Sequence, residues 1–137
     1  MGQAIRPTVL VIDDEPMVRA MLRTVLESAG YRVAEADDGL NGLEALRQHP
    51  FGIVITDIMM PNMEGIETIR EIRRGFPDTG IVAISGGGTT GNMSYLRMAA
   101  MLGADRTLGK PMLVRDLLEA VSSIGKGRSS RAAARLD

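Results

Sequence analysis

The chain has 137 residues, which is enough for one domain with a hydrophobic core and too few for two ordinary domains. Hydrophobic residues make up 45% and charged residues 24%, as in soluble globular proteins, and a net charge of −1 argues against direct nucleic-acid binding. The absence of cysteine excludes a disulfide framework, a cysteine nucleophile and a thiolate metal site; no apolar run suits a membrane span or a signal peptide, so we expect a cytoplasmic protein without a membrane partner.

Five strands alternate with five helices in the predicted secondary structure. The first strand is the apolar run over residues 8–12, and the first helix begins at Pro16 and ends at Gly30. A more polar strand over 31–36 and a helix capped by Asp38 come next, followed by an apolar strand over 53–56 and a helix with Ile66, Ile69 and Ile72 on its inner side. The fourth strand is the apolar run over 81–84, and the fourth helix covers about 92–102 and is stopped by Gly103. A short strand over 106–108 and a helix carrying Leu113, Leu117, Val121 and Ile124 complete the chain of elements.

This alternation implies a parallel sheet with helices on both faces. Strands one, three and four are the most apolar and should be central, whereas strands two and five are more polar and should lie at the edges. The doubly wound order 2-1-3-4-5 has this arrangement. We therefore predict an α/β, flavodoxin-like fold, with a doubly wound five-stranded parallel sheet flanked by five helices.

Carboxylates follow the two strands that flank the point where the predicted strand order reverses. Strand one ends at Asp13 and Asp14, and strand three ends at Asp57. Ligands of such sheets bind outside the carboxyl ends of the strands at this point, so the three carboxylates should converge. Such crowding raises carboxylate pKa values unless a cation is present, and hard oxygen ligands favour Mg²⁺ over zinc or copper.

Two further strand ends reach the same edge of the sheet. Ser85 follows strand four and supplies a hydroxyl, and Lys110 follows strand five and supplies an ammonium. Carboxylates that hold a metal opposite these two groups suit a phosphoryl group, whose peripheral oxygens need neutralising partners. One of the carboxylates can itself be the nucleophile and form an acyl phosphate.

Four motifs carry a resemblance to a known family: Asp13-Asp14, Asp57 with Met60-Pro61 after it, Ser85, and Lys110-Pro111. Together they resemble the receiver domain of bacterial two-component response regulators, the CheY-like domain. The resemblance covers roughly residues 7–125, which we predict to be the receiver domain. Residues 126–137 carry four positive charges and one negative charge, and we predict a basic, disordered tail or a linker to an output domain.

The resemblance implies a role for each residue of these motifs. Asp57 accepts a phosphoryl group from the phosphohistidine of a sensor histidine kinase or phosphotransfer protein. The implied Mg²⁺ ligands are Asp13, Asp14, Asp57 and the main-chain carbonyl of Met59. The implied phosphoryl-binding and switch residues are Ser85, Lys110, Gly86 and Thr107, and the bond that joins Lys110 to Pro111 is expected to be cis.

Thr107 departs from the family pattern, and Met59 lies at a position where receivers vary. Thr107 stands where most receivers have an aromatic residue whose rotation reports phosphorylation, so Thr107 itself or Tyr95 on helix four could take over that role. Met59, two residues beyond the acceptor, is apolar and cannot orient an attacking water, which predicts slow hydrolysis of the phosphorylated state.

Residues 86–91 match the pattern G-x-G-x-x-G, which also occurs in dinucleotide-binding folds. This segment follows the fourth strand rather than the first, and no acidic residue ends the next strand at the expected distance. We therefore interpret it as a mobile loop that leaves room for a phosphoryl group.

His49 is expected at the surface, and the ten methionines are expected to be mostly core residues. Met93, Met98 and Met101 on helix four could instead enrich an adaptable binding face.

Three functions remain open from the sequence. The first is a phosphorelay receiver, not an enzyme beyond its own phosphorylation and dephosphorylation, that switches an unidentified output partner through helix four, strand five and helix five. The second is a Mg²⁺-dependent phosphatase with an aspartyl-phosphate intermediate, although Met59 occupies the place of the second aspartate that such enzymes need. The third is a pseudo-receiver that binds partners without phosphorylation.

Overall fold

A computed structural model describes residues 8–59, 65–85 and 92–124, with side chains described in the fourth helix only from residue 97 onward. Five parallel strands form one sheet in the order β2-β1-β3-β4-β5, which confirms the predicted topology. The elements are β1 (Thr8–Ile12), α1 (Pro16–Ser28), β2 (Arg32–Ala36), α2 (Gly39–Gln48), β3 (Ile53–Asp57), α3 (Gly65–Gly75), β4 (Gly80–Ser85), α4 (Asn92–Leu102), β5 (Arg106–Gly109) and α5 over residues 114–124.

Local chemistry sets the helix ends. Pro16 is the first residue of α1, where its missing N–H costs nothing. The Asp38 carboxylate caps α2 by accepting a hydrogen bond of 2.7 Å from the amide of Asn41. Gly30 and Gly103 follow α1 and α4 with φ of 94° and 121°, a conformation that residues with a Cβ rarely adopt.

The sheet separates the core into two layers. Residues such as Leu10 and Val54 face α2, α3 and α4, whereas Val11 and Ile55 face α1 and α5. Every residue of β3 and β4 is buried, while β2 and β5 are partly exposed. Strands that are covered on both faces need apolar residues at every position, so the polarity of β2 and β5 correctly predicted the edges of the sheet.

Two packing predictions are wrong. Leu113 lies just before α5 with 57% of its side chain exposed, so only the other three predicted apolar residues of this helix are buried. None of the described methionine side chains is buried, because leucine, isoleucine, valine and alanine fill both core layers. The exposed methionines are Met17, Met21, Met59, Met98 and Met101, and Met112 is partly buried.

The exposed Met98 and Met101 agree with the alternative reading of helix four as a binding face. His49 is exposed as predicted. No helix within the described ranges is both long and apolar enough to cross a membrane. The side chains of Met93 and Tyr95, the glycine-rich segment 86–91 and the tail 126–137 lie outside the described residues, so the predictions made for them stand as predictions.

Candidate functional site

Four carboxylates meet at the carboxyl ends of β1 and β3. Asp13 and Asp57 are buried, and Asp14 and Glu15 are exposed beside them. One oxygen of each carboxylate lies within 4.8 Å of an oxygen of every other. The structure thus brings together the three aspartates predicted from the sequence. The structure also adds Glu15 to the cluster. The feature of the sequence that could have identified Glu15 is the unbroken run of three acidic residues after β1.

Lys110 faces this cluster from the end of β5. Its ammonium Nζ lies 3.0 Å from Asp13 Oδ2, 3.2 Å from Asp57 Oδ2 and 3.7 Å from Glu15 Oε1. The amide of Lys110 donates a hydrogen bond of 2.7 Å to the carbonyl of Ser85, and the peptide bond between Lys110 and Pro111 is cis. One ammonium therefore lies between the two buried carboxylates.

The main chain orients both buried carboxylates in the same way. Asp13 Oδ1 accepts a hydrogen bond of 2.9 Å from the amide of Glu15, and Asp57 Oδ1 accepts one of 2.9 Å from the amide of Met59. In each case one oxygen contacts an amide two residues later and the other contacts Lys110. These contacts fix the orientation of both carboxylates. The role of the Met59 carbonyl as a metal ligand stays a prediction.

Burial raises the pKa of Asp57, and the neighbouring charge of Asp13 adds to this effect. The amide of Met59 and the charge of Lys110 oppose it but do not cancel it. For Lys110, burial lowers the pKa, but the hydrogen bond to Asp13 and the charges of Asp57 and Asp13 outweigh burial, so its pKa is raised. One cation is therefore too little to neutralise two buried carboxylates, and the site favours a further positive charge.

The donor set fits Mg²⁺ because every acidic ligand offers oxygen and the exposed Asp14 and Glu15 leave room for water. Asp13, Asp14 and Asp57 are the residues that would hold the ion, and Glu15 lies close enough to take part. A divalent ion bound there would supply the positive charge that the two buried carboxylates need in addition to the charge of Lys110.

Ser85 is the last residue of β4, and its hydroxyl is buried without a hydrogen-bond partner in the described part of the chain. Buried hydroxyls are nearly always hydrogen-bonded, so this one is suited to a ligand oxygen. Thr107 pairs with Ala83 in the sheet and is partly buried on the face that α4 covers. Gly86 lies outside the described residues.

The fold and the site define a class of protein: a doubly wound α/β domain in which acidic residues from two central strands meet a lysine from an edge strand. Comparisons with known proteins agree. The family model described as "Response regulator receiver domain" matches residues 9–122. The chain belongs to this family.

Individual relatives support this assignment. The chain is 32% identical over 121 residues to the response regulator receiver protein CpdR of Brucella abortus, an alignment that covers 85% of this chain and 94% of that protein. It is 34% identical over 119 residues to the chemotaxis protein CheY of Thermotoga maritima, covering 86% and 97% of the two chains. A crystal structure of a response regulator receiver domain protein from Clostridium thermocellum superposes with a TM-score of 0.82 at 28% identity, covering 89% of this chain and 96% of that one.

Receiver domains are in general signalling modules rather than catalysts, and they interact with histidine kinases and with output domains.

Proposed function

We propose that Asp57 accepts a phosphoryl group from a phosphohistidine of a sensor histidine kinase or phosphotransfer protein, in a reaction that depends on Mg²⁺. The observation that carries this proposal is the position of the Lys110 ammonium, within 3.2 Å of an oxygen of both Asp13 and Asp57 at the edge where β1 and β3 end. Lysine and carboxylates in this arrangement suit a group whose oxygens are negative and whose phosphorus is attacked by a carboxylate.

In the proposed transfer, a carboxylate oxygen of Asp57 attacks phosphorus and forms a P–O bond while the P–N bond to the donor imidazole breaks. The electron pair of that bond returns to the imidazole nitrogen. Asp57 needs no deprotonation step, because an ionised carboxylate is already the nucleophile. Asp13, Asp14 and Asp57 would hold Mg²⁺ at this site, where the ion would supply positive charge for the transfer.

Two side chains receive the transferred group. Lys110 leaves Asp57 and pairs with one phosphoryl oxygen, and the Ser85 hydroxyl donates a hydrogen bond to another. Ser85 is well suited to this because its buried hydroxyl has no partner among the described residues.

The phosphorylated state then changes partner binding at the face formed by α4, β5 and α5, by shifting an existing equilibrium between two conformations. α4 carries the exposed apolar side chains of Met98 and Met101, and the start of α5 carries those of Leu113 and Val114, which supports a protein partner at these elements. We propose that this phosphoryl transfer takes place in the cytoplasm. We expect no catalysis beyond the gain and loss of the chain's own phosphoryl group.

The other two functions have less support. A phosphatase of this type needs a second acid two residues beyond the nucleophile, and Met59 occupies that place with an exposed apolar side chain. A pseudo-receiver has no need of four gathered carboxylates and a lysine between two of them.

The test is to incubate the protein with Mg²⁺ and acetyl phosphate or phosphoramidate and to measure the intact mass. We expect one added phosphate that is labile in base and absent from Asp57→Asn. No adduct on the wild type contradicts the proposal and supports a pseudo-receiver. Sustained release of inorganic phosphate at a high rate supports the phosphatase instead.

A further inference from the structure

We propose that Arg19 is a positioning residue for Asp13 and that Glu35 holds the Arg19 guanidinium in place. This inference rests on the proposed function, because it concerns how well Asp13 is placed to bind Mg²⁺. Arg19 Nη1 donates a hydrogen bond of 2.7 Å to the main-chain carbonyl of Asp13. Its Nε donates one of 3.0 Å to Glu35 Oε1.

The Asp13 carbonyl lies where β1 leaves the sheet. The pairing of β1 with β3 ends at Ile12 and Thr56, so β3 does not continue the ladder beside Asp13. Asp13 is fully buried, and a buried carbonyl that loses its hydrogen-bond donor is destabilising. Arg19 on α1 supplies that donor from the helix that packs over β1 and β2.

Asp13 is held at four atoms. Its amide donates to the carbonyl of Ala36 at 3.2 Å, its carbonyl accepts from Arg19, its Oδ1 accepts from the amide of Glu15, and its Oδ2 contacts Lys110. Lys110 and the Glu15 amide contact the carboxylate of Asp13, whereas Ala36 and Arg19 contact its main chain. The contacts with Ala36 and Arg19 therefore remain as the fixed support of the main chain at Asp13.

Glu35 gives the Arg19 contact its geometry and balances its charge. A lone guanidinium beside a cation site would repel the cation, whereas one paired with a carboxylate is locally neutral. Glu35 Oε2 also accepts a hydrogen bond of 2.6 Å from Arg23, which in turn contacts Glu27. Residues that orient metal ligands in this way typically change metal affinity about 10- to 100-fold when they are removed.

Arg23 provides a matched control for Arg19. Both are arginines on α1 that donate to Glu35, but the described contacts of Arg23 are with Glu35 and Glu27 and not with Asp13. Arg19→Ala and Arg23→Ala remove the same charge from the same helix. If charge alone matters, both variants bind Mg²⁺ as tightly as the wild type or more tightly. If Arg19 positions Asp13, Arg19→Ala binds Mg²⁺ more weakly while Arg23→Ala does not.

The experiment measures the Mg²⁺ dissociation constant by titration calorimetry, with circular dichroism to establish that each variant is folded. We expect about tenfold weaker binding for Arg19→Ala than for Arg23→Ala. Arg19→Lys should recover part of the loss, because an ammonium can still donate to the Asp13 carbonyl. If an alanine variant does not fold, the pair Arg19→Gln and Arg23→Gln removes the same charge with less loss of packing.

The outcomes separate the two proposals. Equal affinity in the Arg19 and Arg23 variants, with Mg²⁺ binding in the wild type, overturns the role of Arg19 and leaves the proposed function standing. A wild type that binds no Mg²⁺ overturns the proposed function, and the role of Arg19 with it.

Discussion

At the scale of single residues, two buried carboxylates share one ammonium. Asp13 and Asp57 each keep one oxygen on a main-chain amide and present the other to Lys110. The charge of Lys110 is favoured by this arrangement, while the charge of Asp57 is not, because burial and Asp13 both oppose it. A cation bound beside Asp57 would offset this unfavourable charge.

Asp57→Asn should raise the melting temperature of the Mg²⁺-free protein. Because burial raises the pKa of Asp57 above its ordinary value of 3.8, the folded state holds the proton more tightly than the unfolded state. Ionisation of Asp57 thus costs no stability well below pH 3.8, an increasing amount as the pH rises from 3.8 to the raised pKa, and a constant full amount above it. Thermal unfolding of both proteins across pH in EDTA should show a gain for Asp57→Asn that grows as the pH rises from 3.8 through the raised pKa and disappears in acid. A gain of equal size at every pH contradicts this account.

Met59→Asn should shorten the lifetime of the phosphorylated protein. The side chain of Met59 is half exposed beside the acceptor, and a thioether is at most a weak hydrogen-bond acceptor for an attacking water. An asparagine amide both donates and accepts, so it can orient that water. Phosphate release after removal of the phosphodonor measures the rate in each protein, with Met59→Leu as the apolar control. Equal rates in all three proteins would refute the role of this position.

At the scale of elements, the start of α3 lies directly against the acceptor strand. Gly65 is the first residue of α3, and its amide donates a hydrogen bond of 3.3 Å to the carbonyl of Ile58. A Cβ at Gly65 would overlap the main chain at Ile58 and the carbonyl of Asp57. The close approach of helix and strand therefore requires glycine here, and it supports the backbone that carries the acceptor.

Gly65→Ala should destabilise the protein by about 1–3 kcal/mol, the usual cost of overpacking, because main-chain atoms cannot move aside as a flexible side chain can. Gly75→Ala, at the other end of the same helix, is the matched control, since a Cβ there meets nothing within 4 Å. Urea unfolding of the two variants gives the comparison. Similar stabilities for both would show that the contact at Gly65 relaxes without cost.

At the scale of the whole molecule, the site joins elements that are distant along the chain. Lys110 contacts Asp13 across 97 positions of sequence and Asp57 across 53. An unfolded chain cannot hold these groups together, so a cation that binds the cluster binds the folded state and stabilises the whole domain.

Mg²⁺ should therefore raise the melting temperature of the wild type, with about 2.7 kcal/mol of added stability at a concentration 100 times the dissociation constant. Asp13→Asn removes a buried ligand of the cluster and should abolish most of this gain. Thermal scans with and without MgCl₂ measure the effect, and NaCl at matched ionic strength controls for screening. A wild type that Mg²⁺ does not stabilise contradicts the metal site.

The strand order could be predicted from the sequence because burial acts on each strand separately. β1, β3 and β4 are apolar at nearly every position since both of their faces are covered, and β2 and β5 are more polar since they lie at the edges. The same principle placed the acidic residues and Lys110 at one edge of the sheet, because parallel strands bring their carboxyl ends together.

Side-chain exposure and hydrogen bonding could not be predicted with the same success. Methionine is apolar and was expected in the core, yet Met17 and Met101 are among the most exposed apolar residues described. A helix has more apolar residues than its buried stripe needs, and only its rotation against the sheet decides which of them are covered. Leu113 was misplaced for a different reason, because it lies one residue before α5 rather than within it.

The sequence by itself determined the alternation of elements, the central strands and the residues available at the strand ends, because these depend on periodicity and on local chemistry. Only the tertiary structure decided that Lys110 lies between two carboxylates and that the Arg19 guanidinium donates a hydrogen bond to the carbonyl of Asp13. Those contacts depend on the register of strands that are far apart in sequence and on the rotamers of long side chains, and neither leaves a local signal in the chain.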